Sequence, residues 1–342
     1  MTDFYTRKDI SKDTVQFTVT VPKEEFQKEY TALLKKELEN TDIKGFRKGK
    51  VPSDFVEPHI GTRLSNHSFF NVVPMLITTA LQKENLEPIA PPEYKEFPDF
   101  KEEKDLTFSM DITIMPEFKL GNLKKIKIEK EDAKVEKKEI DEALENLKKN
   151  HETKEKEINE KWGEEIIKLL KLEKEVKDLK ELRKYIEDAM KKQKEHMIKH
   201  QNEDKAILEG IKISKIEIPQ PAIKFEAEER ERAFVNDMQQ KGINIDDFLK
   251  ANNITLEKMR ELWLKDAEQA LQTDVFLKMY IKEKDIKVTD EDLKEKINNI
   301  RNGAPKDTDK AIFENEQWKE YIRRIEEKEK AFQSFIKEVL GE

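Results

Sequence analysis

The amino-acid sequence predicts an α+β protein with a small N-terminal α+β domain, an extended linker and an elongated all-α region built of helical arms. Two alternating apolar runs carry the sheet: Val15, Phe17, Val19 and Val21 near the start, then Leu106, Phe108, Met110, Ile112 and Ile114. From residue 161 onward apolar residues recur at three- and four-residue spacing, the period of a helix face. The third observation is that 41% of the 342 residues are charged and only 36% hydrophobic, against roughly 25% charged in an ordinary domain. A compact sphere has too little surface for so many Lys and Glu side chains, which favours long helices with narrow apolar stripes. Disorder is excluded by 18 Phe, 3 Trp and the regular apolar spacing.

The elements follow in order. Pro22 ends the first strand and suits the first turn of a helix, in which Phe26, Tyr30, Leu33, Leu34 and Leu38 share one face. Periodicity stops from Ile43 to Pro52, where Gly45 and Gly49 bracket a basic loop. A helical stretch from about Ser53 to Leu86 is expected as two helices or one kinked helix, because Gly61 and Pro74 interrupt it. Pro88, Pro91, Pro92 and Pro98 forbid helix and predict an extended connection to the second strand, closing the first domain at residue 115.

Residues 116–160 form the expected linker, with an alternating pair at Ile126 and Ile128, and a short helix marked by Ile140, Leu144 and Leu147. Residues 151–160 are nearly all charged and have little to bury, so a boundary is placed there. The third region, residues 161–342, opens with Leu179, Leu182, Ile186, Met190 and Met197 along a thin stripe of a helix reaching Ile211, an arm rather than a core helix. Pro219 and Pro221 break the chain before a helix with Ile223, Phe234 and Met238. Further helices carry Leu256, Met259, Leu262, Trp263, Leu271, Phe276, Leu277 and Met279. Thr289 and Asp292 match a capping box, and a turn at Asn302 to Pro305 precedes a last helix with Trp318, Ile325, Phe332, Phe335 and Leu340.

Composition bounds the function. A net charge of -8 gives no global attraction to nucleic acid or anionic membrane, so any such contact must be local. The absence of Cys excludes disulfides and thiol catalysis. The first residues lack a basic stretch followed by an apolar one, and no run approaches membrane-spanning length, so a cytoplasmic protein without a membrane partner is expected. No P-loop or dinucleotide fingerprint is present, no carboxylate stands out from the Lys/Glu mixtures, and no cofactor is expected.

One loop departs from the acidic whole. Ile43 to Ser53 holds Lys44, Arg47, Lys48 and Lys50 and no acidic residue, while Gly45 and Gly49 permit a tight turn that projects the cations and Phe46 together. Arg binds phosphate bidentately, Lys adds a point charge and an aromatic ring inserts among bases or apolar side chains. That chemistry suits a ribonucleoprotein surface. The alternative is a solvated turn whose Phe46 folds back onto the core.

The run Gly45-Phe46-Arg47-Lys48-Gly49-Lys50-Val51-Pro52 resembles the ribosome-binding signature of the trigger factor family, and it sits between two amphipathic helices after an initial strand, as in that family. Glu87 to Pro92 and Leu106 to Met110 are similar to later parts of the same domain. Glu160 to Leu340 is similar to the helical substrate-binding domain, with Ile218-Pro219-Gln220-Pro221 at its hinge. The resemblance implies an ATP-independent chaperone at the exit tunnel of the large ribosomal subunit, partly ribosome-bound and partly free in the cytoplasm. Lys44, Gly45, Phe46, Arg47, Lys48, Gly49, Lys50 and Pro52 would dock it on ribosomal protein and rRNA. It further implies that the helical arms shield nascent and unfolded polypeptides, with weak self-association allowed off the ribosome.

The family's FKBP-like prolyl isomerase domain needs on the order of a hundred residues, with several strands and glycine turns. Between Asn122 and Lys241 this chain has only Gly163 and Gly210, and Trp162 and Tyr185 are the sole aromatics before Phe225. An aromatic-lined proline pocket cannot be built there, so no catalytic residue is assigned.

Candidate client-binding residues are Met190, Met197, Phe234, Met238, Phe313, Phe332 and Phe335. Thioethers repack around varied apolar shapes, and the competing reading of each residue is interhelical packing. His196 and His200, at i and i+4, could hold a metal on one helix face, but without Cys or an HExxH pattern the expectation is a solvated pair and no metal. Two other functions stand beside the chaperone: a residual prolyl isomerase, which the missing domain opposes, and a coiled-coil scaffold, whose heptads the Pro and loop breaks interrupt.

Overall fold

The computed structural model describes residues 4–44, 46, 47, 49–96, 98, 100, 104–129, 131–305 and 310–341. The chain divides into two compact units, residues 1–118 with 217–272 and residues 119–216 with 273–342. Each unit therefore draws on two separated stretches, whereas the expected division at 115 and 160 ran in chain order.

In the first unit, four strands form one antiparallel sheet ordered β1 (Tyr5–Asp9), β2 (Thr14–Val21), β4 (Leu106–Thr113), β3 (Glu93–Glu96). β2 and β4 are the two alternating runs. Val15, Phe17, Val19 and Val21 stand opposite Ile112, Met110, Phe108 and Leu106, and all eight are buried on one face. That face is covered by Phe26 of α1 (Lys23–Asn40) and by Phe69, Val73, Ile77 and Ala80 of α2 (Ser53–Glu84).

α2 is one continuous helix of 32 residues with Pro58 and Pro74 inside it, rather than the two helices that were one of the forms expected. Each interior proline removes a donor and costs about 3 kcal/mol or more in an isolated helix. Here Phe69, Val73 and Ile77 are buried on both sides of Pro74, and fixing that face to the sheet outweighs the lost bond. The first half of α2 lies beyond the sheet and pairs with α1. Asn71 donates to Glu29 at 2.8 Å, Arg63 pairs with Glu37 at 3.1 Å, and the Tyr30 hydroxyl donates to Glu57 at 3.1 Å. Glu29 with Asn71 and Glu37 with Arg63 run in opposite directions along the two helices, an antiparallel hairpin whose connecting loop is at the end away from the sheet.

The rest of this unit holds α6 (Gln220–Gln240), α7 (Ile245–Ala251) and the start of α8 (Leu256–Lys284). The Phe234 ring meets Phe248 and Trp263, each at 5.5 Å between centroids. Arg260 clasps both carboxylate oxygens of Glu231, which raises the Arg260 pKa and lowers that of Glu231.

The second unit contains α3 (Lys137–Asn150), α4 (Glu160–Leu169), α5 (Leu179–Ile213), the remainder of α8, α9 (Asp290–Gly303) and α10 (Glu316–Leu340). The 35-residue α5 matches the expected arm. In the segment read as an extended linker, the short helix is α3, whose Ile140 and Leu144 share a core with Trp162, Ile166 and Ile167 of α4 and Leu182 of α5. Gly121 donates to Ser214 Oγ at 2.9 Å, and a Cβ there would lie 2.6 Å from the Ile213 carbonyl oxygen, so this strand of chain lies against the end of α5. Between α3 and α4, Glu165 accepts the Lys154 amide at 2.8 Å, while the Asn159 side chain caps α4 by accepting from Trp162 N at 3.0 Å.

A second core joins Phe276 and Tyr280 of α8 to Phe335 of α10, with Phe276 and Phe335 edge to face at 4.9 Å. Charge pairs lace the same helices. Asp274 lies between Lys278 and Lys328; burial works against its charged form, but the two ammonium groups prevail and lower its pKa. The capping box at Thr289 and Asp292 is present at the start of α9. Hydrogen bonds from Lys330 and from the Thr289 side chain and backbone lower the Asp292 pKa to about 2. Among the described residues no helix is long and apolar enough to cross a membrane.

Candidate functional site

The basic loop is built by the hairpin that carries it. α1 ends at Asn40 and the chain turns through 3.0 Å and 2.9 Å backbone bonds, from Phe46 N to Ile43 O and from Lys50 N to Arg47 O. Gly49 closes the turn in the left-handed region, φ 75°, with its amide toward Thr41 O. A side chain there would be strained by that conformation, which explains a glycine after the cations. Val51 is 4% exposed and fixes the return of the chain before α2 begins.

Of the eight docking residues expected, Gly45 and Lys48 lie outside the described residues. Lys44, Arg47, Lys50 and Pro52 are exposed, Gly49 is half-buried, and Phe46 is 37% exposed. Among the described residues no ion pair joins Lys44, Arg47 or Lys50 to a carboxylate. The ring of Phe46 does not return to the sheet core. It tilts against Phe55 of α2 at 5.2 Å, and Phe55 is itself 56% exposed. The pair makes an aromatic prong flanked by cations. Phe55 carried no sequence signal of this role, since the pairing depends on how the turn folds against the helix start.

The seven apolar candidates separate by burial. Phe335 (0% exposed), Phe313 (4%) and Met238 (7%) are packed among helices, Phe313 against Trp318 at 5.4 Å. Burial removes these three from any accessible surface in this conformation. Met190, Phe234 and Phe332 are half-buried, and Met197 is 53% exposed on α5. Other apolar side chains are exposed: Leu264 on α8 and Tyr321 on α10, together with Leu262 and Ile325, which the sequence placed only on helix faces. Between α6 and α8 a groove of about 340 Å³ is lined by Ala227, Trp263 and Leu264, with Lys224, Glu228 and the Glu231–Arg260 pair at its edges. The signal was present as matching stripes, 224/227/228/231 on one helix and 260/263/264 on the other.

Two family models match. The model described as bacterial trigger factor protein covers residues 5–147, and that described as bacterial trigger factor protein C-terminus covers residues 178–337, leaving 148–177 unmatched. The trigger factor of Halothermothrix orenii is 23% identical over an alignment spanning 86% of this chain and 89% of that protein. The trigger factor of Clostridium botulinum is 24% identical, spanning 84% and 87%. That of Idiomarina loihiensis is 33% identical over 39% of this chain and 31% of its own. A solved trigger factor chaperone chain, from work on promiscuous substrate recognition in folding and assembly, superposes with a TM-score of 0.56 at 17% identity, covering 98% of this chain and all of that one. These matches support a chaperone, and the chain belongs to the trigger factor family.

Proposed function

We propose that this protein is an ATP-independent chaperone that docks on the large ribosomal subunit near the exit tunnel and shields emerging chains. The observation that carries the reading is the tip of the α1–α2 hairpin, where Lys44, Arg47 and Lys50 stand exposed, with no carboxylate partner among the described residues, beside the Phe46–Phe55 prong. Guanidinium and ammonium groups recognise rRNA phosphate, and an exposed aromatic pair supplies apolar contact to a ribosomal protein or an unstacked base. Residues 1–115 supply the anchor and residues 161–342 the client surface in this reading.

Clients bind through small separated apolar patches, at Met197, around Leu264 and along Tyr321 and Ile325, each set among Lys and Glu. Weak contacts of this kind combine only when several are engaged at once, which gives reversible holding without a nucleotide. In this reading the protein works without prolyl isomerase activity, which is supported by the short connection between α3 and α4, residues 151–159, against the roughly hundred residues such a domain needs.

Cosedimentation with ribosomes tests the anchor. A Phe46→Ala, Arg47→Ala, Lys48→Ala chain is expected to lose ribosome binding with an unchanged circular dichroism spectrum, while still delaying aggregation of an unfolded client. Undiminished cosedimentation of that variant would remove the docking role from this loop.

A further inference from the structure

His196 and His200 lie one turn apart on α5, and their Nε2 atoms are 3.3 Å from each other. The partner of the second ring decides what that separation means. Nδ1 of His200 is 2.8 Å from Oε2 of Glu203, a carboxylate that is 7% exposed. A buried carboxylate requires a donor, so the proton of His200 belongs on Nδ1 and its Nε2 presents a lone pair. The carboxylate thus fixes both the orientation and the tautomer of His200, while the ring itself remains exposed. His196 is exposed as well, and can move its own proton between ring nitrogens by exchange with water.

We infer that His196 and His200, oriented by Glu203, form a chelating site for a divalent transition cation of the imidazole-binding class, Zn²⁺, Ni²⁺ or Cu²⁺. Two bonds of about 2.0–2.1 Å to a tetrahedral Zn²⁺ place the two nitrogens about 3.3–3.4 Å apart, the separation the two rings already hold across an Nε2···Nε2 hydrogen bond whose proton the cation would replace. The cost of gathering the ligands is therefore small, since the pair is one turn apart on a continuous helix and one ring is locked from behind. The Glu203–His200 bond is the outer partner that metal-ligating histidines generally need to set ring orientation and raise basicity. Among the described residues no third His or carboxylate completes a closed cage, so the remaining positions go to water or to a ligand supplied from outside. Such an open site binds and releases its cation readily, and its order of preference follows the general one for nitrogen ligands, Cu²⁺ above Ni²⁺ and Zn²⁺. The sequence alone pointed instead to a solvated pair, because the buried carboxylate behind His200 is visible only once α5 is packed.

The test is calorimetric titration of the untagged full-length chain with ZnCl₂ and NiCl₂ in a non-coordinating buffer near neutral pH. One cation per chain is expected to bind, with affinity falling in acid as protons displace the metal. His196→Gln and His200→Gln should each weaken binding at least about tenfold, and Glu203→Gln, which keeps an acceptor but removes the charge, by about tenfold. His59→Gln should leave binding unchanged. Both histidines are exposed, so their variants are expected to keep the wild-type circular dichroism spectrum, which makes a lost titration signal a property of the site. Equal affinity in the wild type and the two single histidine variants, or no saturation at metal concentrations on the order of 1 mM, would overturn the assignment.

Discussion

Gly210 of α5 faces the edge of the Phe276 ring, and a methyl carbon on its Cα would stand 2.6 Å from Cζ and 2.8 Å from Cε2. Phe276 is fully buried and backed by Phe335, so the ring has nowhere to retreat. Replacing a helical glycine by alanine ordinarily gains up to about 1 kcal/mol. Overpacking a tight core costs about 1–3 kcal/mol. The second effect wins, and Gly210→Ala is expected to lower stability by about 1–2 kcal/mol in denaturant unfolding. Gly303→Ala, where nothing lies within 4 Å of the added carbon, serves as the control and should be neutral or slightly stabilising.

Ribosome affinity should fall with salt. If all four loop cations displace counterions from RNA, the log–log slope is about -3, and Arg47→Ala should make it shallower by about 0.7–0.9. Binding measured at three or more potassium concentrations gives both slopes; an unchanged slope in the variant would mean that Arg47 contacts something other than phosphate.

Asp292 ties the start of α9 to α10 through Lys330 and caps α9 through Thr289, and its folded pKa of about 2 lies below the ordinary 3.8. A depressed carboxylate stabilises the folded state fully above its unfolded pKa, and that contribution is lost as pH falls through the folded value. The stability difference between the wild type and Asp292→Asn is therefore expected to be constant above about pH 5 and to shrink as the pH falls toward about 2. Unfolding curves of both proteins across that range measure it.

Photo-crosslinking probes report where clients touch. Probes replacing Met197 (53% exposed), Leu264 (39%) or Tyr321 (60%) are expected to capture an unfolded client, whereas probes at Phe335 or Met238 are not, because those side chains are 0% and 7% exposed. Strong capture from Phe335 alone would show that clients enter an opened helical core rather than bind the surface patches.

Much of this fold was legible because burial imposes a period. β2, β4 and α5 stood out as alternating or helical stripes, and the Thr289–Asp292 cap could be placed from two residues. β1 was not legible: only Tyr5 of Tyr5–Asp9 is even half-buried, so an edge strand held by backbone bonds to β2 leaves no alternation. Pro74 left two helices and one helix both open, since packing against the sheet, which no local pattern records, outweighs the local donor loss. The basic loop showed itself through charge concentrated against an acidic background. The exposed apolar patches did not, because Phe335 and Leu264 are both apolar in the sequence and only tertiary packing decides which one is covered.

The connection between α3 and α4 has a consequence for how such chains diversify. Both helices it joins are closed by their own neighbours: the His151 amide returns to Leu147 O at 3.1 Å, and Asn159 caps the first turn of α4. The core formed by Ile140, Leu144, Trp162 and Ile166 needs nothing from residues 151–157. A gene could therefore acquire or discard a whole cassette at this seam in a single recombination event. Reading frame would be the chief constraint, because the helices on either side already end and begin by themselves.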